Sequence, residues 1–105
     1  MLEVNKENFE AEVLNTKGLV LVDFWSPKCV PCMELLPHVQ ELEGQFAGVK
    51  FCKLNILENR RLAMGQKVMG VPTILIYKDG EKVVDLSKDF TLEDLTAKLN
   101  EVTGA

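Results

Sequence analysis

The sequence lacks an excess of basic residues and lacks any long apolar run. Its 105 residues carry a formal net charge of -4, whereas a general nucleic-acid binder needs a basic face against the phosphates. No apolar run approaches the roughly 20 residues that a membrane-spanning helix requires. These absences argue against nucleic-acid and membrane partners. The length fits one domain, residues 1–105.

Histidine and cysteine are also scarce. Three cysteines are an odd number, which argues against a secreted scaffold held by disulfides. The first residues, MLEVNKENFE, lack the basic start and apolar run of a secretory signal. We therefore expect a reducing, cytoplasmic compartment, where a cysteine pair is more often catalytic or metal-binding than structural. Since His38 is the sole histidine, a Cys/His hydrolase has little support.

The apolar pattern predicts an α/β fold. Strand–helix–strand units favour parallel pairing with right-handed crossovers, and the Asp79-Gly80 turn adds an antiparallel hairpin. The result is a mixed sheet with helices on both faces. The predicted elements are a short strand Leu2–Val4, a helix from Asn5 to Gly18, strand Leu19–Trp25, a helix from Pro31 to Gly44 or Gly48, strand Val49–Ile56, helix Asn59–Lys67, strands Thr73–Tyr77 and Glu81–Leu86, and a helix from Thr91.

The motif Cys29-Val30-Pro31-Cys32 lies where a buried strand turns into a helix. The free N–H groups and partial positive charge of a helix N-terminus stabilise a thiolate, which is the reactive form. Cys29 lies nearer the loop and should be the exposed nucleophile, while Cys32 should resolve the mixed disulfide. Lys28 either favours the ionised form of Cys29 or is a solvated loop lysine. Pro37 lies inside the same helix and predicts a kink.

Half of a zinc site is the alternative interpretation of the cysteine pair. Structural zinc commonly needs four ligands, and here Cys52 and His38 are the only other cysteine and histidine. The helical phase of His38 does not aim it clearly at Cys32. Cys52 alternates along its strand with Leu54, which indicates a small buried apolar residue. We therefore favour redox chemistry and expect no metal.

Asp23 interrupts the apolar run LVLVDFW. A carboxylate in such a strand is costly unless it is paired, hydrated or functional, and burial should raise its pKa toward neutrality. One interpretation is a general acid/base that takes a proton from Cys32. The other is a strand-end carboxylate bonded to backbone amides.

Taken together, these motifs and the element order resemble the thioredoxin family over the whole chain. Asp23 before the cysteine pair and Pro72 well after it make the match specific. The matching stretches are Val22-Asp23-Phe24-Trp25-Ser26-Pro27, Cys29-Val30-Pro31-Cys32, Pro37, Lys53-Leu54-Asn55, Gly70-Val71-Pro72-Thr73 and Tyr77-Lys78-Asp79-Gly80.

The resemblance implies a thioredoxin fold, a central mixed five-stranded sheet flanked by four helices. It implies a cis Val71–Pro72 bond packed against the cysteines, and it places Lys53 near Asp23, although a solvent-exposed lysine fits the sequence equally well. The surface that contacts substrate would include Trp25, Lys28, Val30, Pro31, Val71, Pro72 and Thr73.

The implied activity is reduction of protein disulfides by dithiol–disulfide exchange. The Cys29–Cys32 pair would hold the two electrons in its dithiol form and become the redox-active disulfide on releasing them, so no bound cofactor is expected. Partners would be disulfide-containing proteins and a thioredoxin reductase, and the protein would act as a monomer. Two alternatives remain open: an oxidase or isomerase with the same chemistry, and a non-catalytic binding module or zinc protein that keeps the fold.

Three positions depart from the usual family pattern. Lys28 replaces a tryptophan, Val30 replaces a glycine, and Lys88 lies where the family tends to have glycine. In this respect the chain is similar to atypical family members from amino-acid-fermenting anaerobes. Lys28 and Lys88 make the rim more basic, which should change partner choice.

Overall fold

A computed structural model describes residues 1–104 and contains a mixed sheet with helices on both faces. The elements are β1 (Leu2–Glu3), a π-helical segment (Glu10–Leu14), β2 (Leu19–Trp25), α1 (Val30–Gln45), β3 (Val49–Asn55), α2 (Arg60–Gly65), β4 (Thr73–Lys78), β5 (Glu81–Ser87) and α3 (Leu92–Thr103). In sheet order the strands are β1-β3-β2-β4-β5. Strands β1, β3 and β2 are parallel, while β4 pairs antiparallel with both β2 and β5.

This architecture confirms the predicted five-stranded mixed sheet with four flanking helices, the π-helical segment being one of them. The predicted ends of strands β2 to β5 agree with the structure to within one residue. The Val71–Pro72 bond is cis, as the resemblance implied. Among residues 1–104, none of the helices combines the length and the apolar character that a membrane-spanning helix needs.

The sheet separates two apolar cores, because successive side chains of a strand point to opposite faces. Val22 of β2 packs on the side of the π-helical segment and α2. Leu21 packs on the other side, with residues of α1 and α3. The same alternation points the side chains of Asp23 and Trp25 toward α1.

The first helix is capped at the predicted Asn5 and buries Phe9 and Val13 as expected, but it is shorter than predicted and partly π-helical. The side-chain oxygen of Asn5 accepts from the backbone N–H groups of Glu7 and Asn8 at 2.9 and 3.2 Å, which organises a turn. The segment Glu10–Leu14 is π-helical, and the Asn15 N–H donates to the Glu10 carbonyl at 2.8 Å, the long spacing of a π-helix. The segment from Asn5 to Asn15 therefore combines a capped turn with a short π-helix in place of a regular α-helix.

The later helices are close to the predictions. Helix α1 continues through Pro37 to Gln45, and a kink at Pro37 stays a prediction. Helix α2 is shorter than predicted because Lys67 takes a left-handed backbone, with φ of 64°. Helix α3 begins with a reciprocal cap, in which Thr91 Oγ1 accepts from the Asp94 N–H at 3.1 Å and the Asp94 carboxylate accepts from the Thr91 N–H at 2.8 Å.

The β4–β5 hairpin turns at the predicted residues. Asp79 and Gly80 have φ of 52° and 85°, the conformation of a tight type I′ turn. The Asp79 carboxylate accepts from the Gly18 N–H at 2.7 Å. A Cβ at Gly80 would collide with the Leu14 carbonyl, so this glycine allows the hairpin to pack against the π-helical segment.

Candidate active site

The loop between β2 and α1 holds the cysteine pair at the start of a helix. Cys29 is the N-cap of α1 in an extended conformation, and its sulfur accepts from the Cys32 N–H at 3.2 Å. A disulfide joins the two residues, whose Cα atoms are 5.2 Å apart. The structure therefore places both sulfurs at the positive end of the helix dipole, where a thiolate is stabilised.

Ser26 organises this loop, and sequence reasoning did not single it out. Its side chain is buried, at 5% exposure. Its hydroxyl accepts from the Lys28 N–H at 3.1 Å, and its carbonyl accepts from the Cys29 N–H at 3.0 Å. A Ser-Pro pair directly after a strand is a turn signal, so the sequence carried the information for this contact.

The two cysteines differ in access to solvent. Cys29 is partly exposed, whereas Cys32 is 1% exposed. Cys32, Val39 and Leu42 are the buried residues of α1 and recur at helical spacing, so they share the face that packs on the sheet. An incoming disulfide therefore meets Cys29 first, while Cys32 lies behind it.

Asp23 is buried on the same side of the sheet. It is 1% exposed, and within residues 1–104 neither carboxyl oxygen has a hydrogen-bond partner. Burial raises the pKa of Asp23 from its usual 3.8 to about 7, and the Lys53 ammonium partly opposes the shift. The alternative of a carboxylate bonded to backbone amides does not fit these contacts.

Lys53 lies beside Asp23 rather than at a solvent edge. The two residues are register partners on the parallel strands β2 and β3, so their side chains leave the same face of the sheet. The Lys53 Nζ is 5.5 Å from the centre of the Trp25 ring and 4.0 Å from a Glu3 carboxylate oxygen. The Lys53 ammonium therefore lies near the Trp25 indole, and its side chain leaves the same face of the sheet as the Asp23 carboxyl.

The cis-proline loop runs alongside the end of β2. Phe24 pairs with Thr73 across β2 and β4, which brings Val71 and Pro72 next to the segment that leads to the cysteines. Thr73 is 2% exposed, and its hydroxyl donates to the Gly70 carbonyl at 2.7 Å. This hydroxyl fixes the loop, so Thr73 borders the surface without presenting its side chain to solvent.

The other predicted surface residues surround the cysteine pair. Val30 is 66% exposed, Lys28 and Pro31 are exposed, and Trp25 is partly exposed. Together with Val71 and Pro72, which are both partly buried, they offer an apolar surface with a cation at its edge. Such a surface suits an extended segment of another protein chain.

The two further residues considered as zinc ligands, His38 and Cys52, are in very different environments. His38 is exposed, and Cys52 is completely buried in an apolar core, where burial raises its pKa to about 11. Residues 1–104 contain no group of three or more His, Cys, Asp or Glu side chains placed to hold a metal ion. The prediction that Cys52 is a small buried apolar residue is confirmed.

The fold and the helix-capping disulfide define the class, a thiol–disulfide oxidoreductase that carries its electrons in a cysteine pair. The chain belongs to the thioredoxin family, because the family model for thioredoxin matches residues 1–101. Members of this family need no cofactor besides the redox-active disulfide.

Two curated relatives and one solved structure support this assignment. The chain is 51% identical over 98 residues to a thioredoxin of Acetoanaerobium sticklandii, covering 92% of this chain and 90% of that protein. It is 45% identical over 106 residues to a thioredoxin of Peptoclostridium acidaminophilum, covering 99% and 96%. The structure of a mutant thioredoxin from Halobacterium salinarum matches with a TM-score of 0.87 at 30% identity, covering 97% of this chain and 89% of the other.

Proposed function

We propose that this protein reduces disulfides in other cytoplasmic proteins, with Cys29 as the nucleophile and Cys32 as the resolving cysteine. The difference in exposure between the two cysteine residues carries this assignment, because Cys29 is partly exposed and Cys32 is buried. A substrate disulfide can approach only the outer sulfur.

The exchange has two steps. The Cys29 thiolate attacks one sulfur of the substrate disulfide, the substrate S–S bond breaks, and one substrate thiolate leaves as a mixed disulfide forms. The Cys32 thiol then loses its proton and attacks the Cys29 sulfur. The second substrate thiolate leaves. The substrate is now reduced, and the protein is oxidised to the Cys29–Cys32 disulfide.

Asp23 serves as the acceptor of the Cys32 proton. A base works best when its pKa lies near the working pH, and the pKa of Asp23 is raised to about 7 by burial. Its strand position points the carboxyl toward the helix face that carries Cys32. Lys53 steadies the ionised carboxylate and keeps the pKa from rising further.

The surface around the Cys29–Cys32 disulfide binds the substrate. An extended substrate segment would lie along the cis-proline loop, where the backbone of Val71 offers hydrogen bonds and Trp25, Val30, Pro31 and Pro72 offer apolar contact. Lys28 faces solvent beside Cys29 and can contact acidic groups. The protein acts as a monomer, and a thioredoxin reductase returns the disulfide to the dithiol.

Insulin reduction tests the activity directly. With a dithiol as electron source, the protein should accelerate the reduction of the insulin disulfides, and Cys29→Ser should abolish the acceleration. Metal content is measured on the same sample. A protein that binds stoichiometric zinc and leaves insulin reduction unchanged would contradict the proposal.

Equilibration with glutathione tests the direction of electron flow. The fraction of protein in the dithiol form is measured at several ratios of reduced to oxidised glutathione. A reductase should stay oxidised in mixtures that already reduce an oxidase, because its disulfide has the more negative potential. A disulfide that glutathione reduces readily would assign the protein to oxidation or isomerisation.

A further inference from the structure

A pocket adjoins the cis-proline loop on the side away from β2. Its volume is about 430 Å³, and it is lined by Lys67, Met69, Gly70, Val71, Pro72, Thr73, Ser87 and Lys88. The pairing of Thr73 with Ser87 brings the end of β5 against the start of β4. The pocket therefore continues the surface proposed to hold the substrate segment.

Two lysines supply all the formal charge of this pocket. Neither Lys67 nor Lys88 makes a salt bridge within the described part of the chain. Both are exposed, and no carboxylate is among the residues that line the pocket. This is a local excess of positive charge on a protein whose formal net charge is -4.

The backbone at both positions favours glycine rather than lysine. Lys67 has φ of 64° and Lys88 has φ of 53°, a left-handed region that glycine enters without steric cost. Lys67 also follows the last turn of α2, the position where glycine most often ends a helix. Lysine therefore carries a conformational penalty at both positions that glycine would not carry.

We infer that this pocket selects substrate segments that carry a carboxylate side chain close to the attacked disulfide. This specificity rests on the proposed function, since it concerns the same exchange site. The exposed Met69, the Val71 wall and the two ammonium groups would together hold the aliphatic part and the carboxylate of a glutamate or aspartate.

Three disulfide-linked peptides test the inference. They share one apolar sequence and carry glutamate, glutamine or lysine on both sides of the cysteine. The rate of reduction by the reduced protein is divided by the rate with dithiothreitol, which corrects for intrinsic reactivity. At about 0.02 M salt the glutamate peptide should react about tenfold faster than the lysine peptide, and at about 0.5 M salt the ratio should approach one.

Substitution then assigns the preference to the two lysines. In K67N/K88N, asparagine accepts the left-handed backbone, so the fold should persist and the glutamine peptide should keep its rate. In this variant the glutamate peptide should react less than about twofold faster than the lysine peptide at low salt. The matched control is K17Q/K78Q, which removes two exposed lysines from the opposite end of the sheet and should keep the full preference.

Three results overturn the inference. Equal corrected rates for the three wild-type peptides at low salt would contradict it while leaving the reductase function intact. A preference that K67N/K88N and K17Q/K78Q reduce equally would show a general effect of net charge. Should no peptide be reduced at any salt concentration, the proposed function itself would fail, and the specificity with it.

Discussion

At the scale of single residues, the Asp23 carboxyl is in an environment that opposes its charge. Both oxygens lack hydrogen-bond partners among residues 1–104, and the Lys53 ammonium is the nearby group that favours ionisation. Such a group lowers the stability of the native state once it must ionise there. The protonation of Asp23 should therefore govern both the stability of the fold and the rate of the resolution step.

Asp23→Asn should stabilise the protein near neutral pH. Because the pKa of Asp23 rises from 3.8 to about 7 on folding, the unfolded chain loses this proton first. The stability of the wild type relative to the variant therefore falls as pH rises from about 4 to about 7 and is constant above that. The advantage of the variant at pH 8 should be on the order of 4 kcal/mol, measured by urea unfolding.

Asp89→Asn is the matched control for this stability measurement. Asp89 is exposed, and its left-handed φ of 47° suits asparagine equally well. Its unfolding curve should follow that of the wild type from pH 4 to 8, values chosen to bracket roughly the Asp23 titration. A pH-independent difference between Asp23→Asn and the wild type would refute the raised pKa.

Lys53→Gln should move the titration of Asp23 upward. The Lys53 ammonium lowers the pKa of Asp23 against the larger effect of burial, so its removal leaves burial unopposed. The measurement is the pH at which the Asp23 carboxyl carbon changes its NMR shift. A midpoint that stays in place or moves downward would show that the Lys53 ammonium does not lower the pKa of Asp23.

Asp23→Asn should also slow the resolution step. A preformed mixed disulfide between Cys29 and a substrate peptide would release the peptide at least about tenfold more slowly at neutral pH, since the Cys32 proton has lost its acceptor. The first step should be unaffected. Equal release rates across roughly pH 6 to 8 would show that water or another base takes the proton.

At the scale of elements, Gly18 and Gly80 both have a left-handed backbone, but only at Gly80 would a side chain also collide with another residue. Gly18 has φ of 88°, and a Cβ added there would meet open space, whereas at Gly80, with φ of 85°, that atom would meet the Leu14 carbonyl. Gly18→Ala should cost about 1 kcal/mol and Gly80→Ala about 3 kcal/mol. Urea midpoints measure both, and equal losses would contradict the close packing of the hairpin.

The strands and the hairpin were predictable because their signals are local. Apolar runs and the Asp79-Gly80 turn are contiguous in sequence, and the structure follows them. The extent of the first helix was predicted wrongly for the opposite reason. Its segment is held by distant groups, since the Lys6 N–H donates to the Asn59 side chain at 2.9 Å. The Lys50 ammonium likewise binds the Glu12 carbonyl at 2.9 Å. No local pattern carries such contacts.

At the scale of the whole molecule, the site gathers residues from several segments at one end of the sheet. The cysteine pair and Asp23 could be predicted as candidate site residues because a Cys-x-x-Cys motif and a carboxylate inside an apolar strand are short, chemically distinctive signals. The nearness of Lys67 to Lys88 was not, because it depends on how α2 and β5 approach β4. The cis-proline loop was expected only through the family resemblance, since most X–Pro bonds are trans.

The assignment of Cys29 and Cys32 is tested most directly by trapping the mixed disulfide. Purified Cys32→Ser and Cys29→Ser are each mixed with a disulfide-containing protein, and the covalent adduct is measured by mass under non-reducing conditions. Cys32→Ser should accumulate the adduct, because the exposed sulfur attacks and nothing resolves it, whereas Cys29→Ser should form almost none. Adduct formation by Cys29→Ser instead would show that the buried sulfur attacks first and would contradict the account.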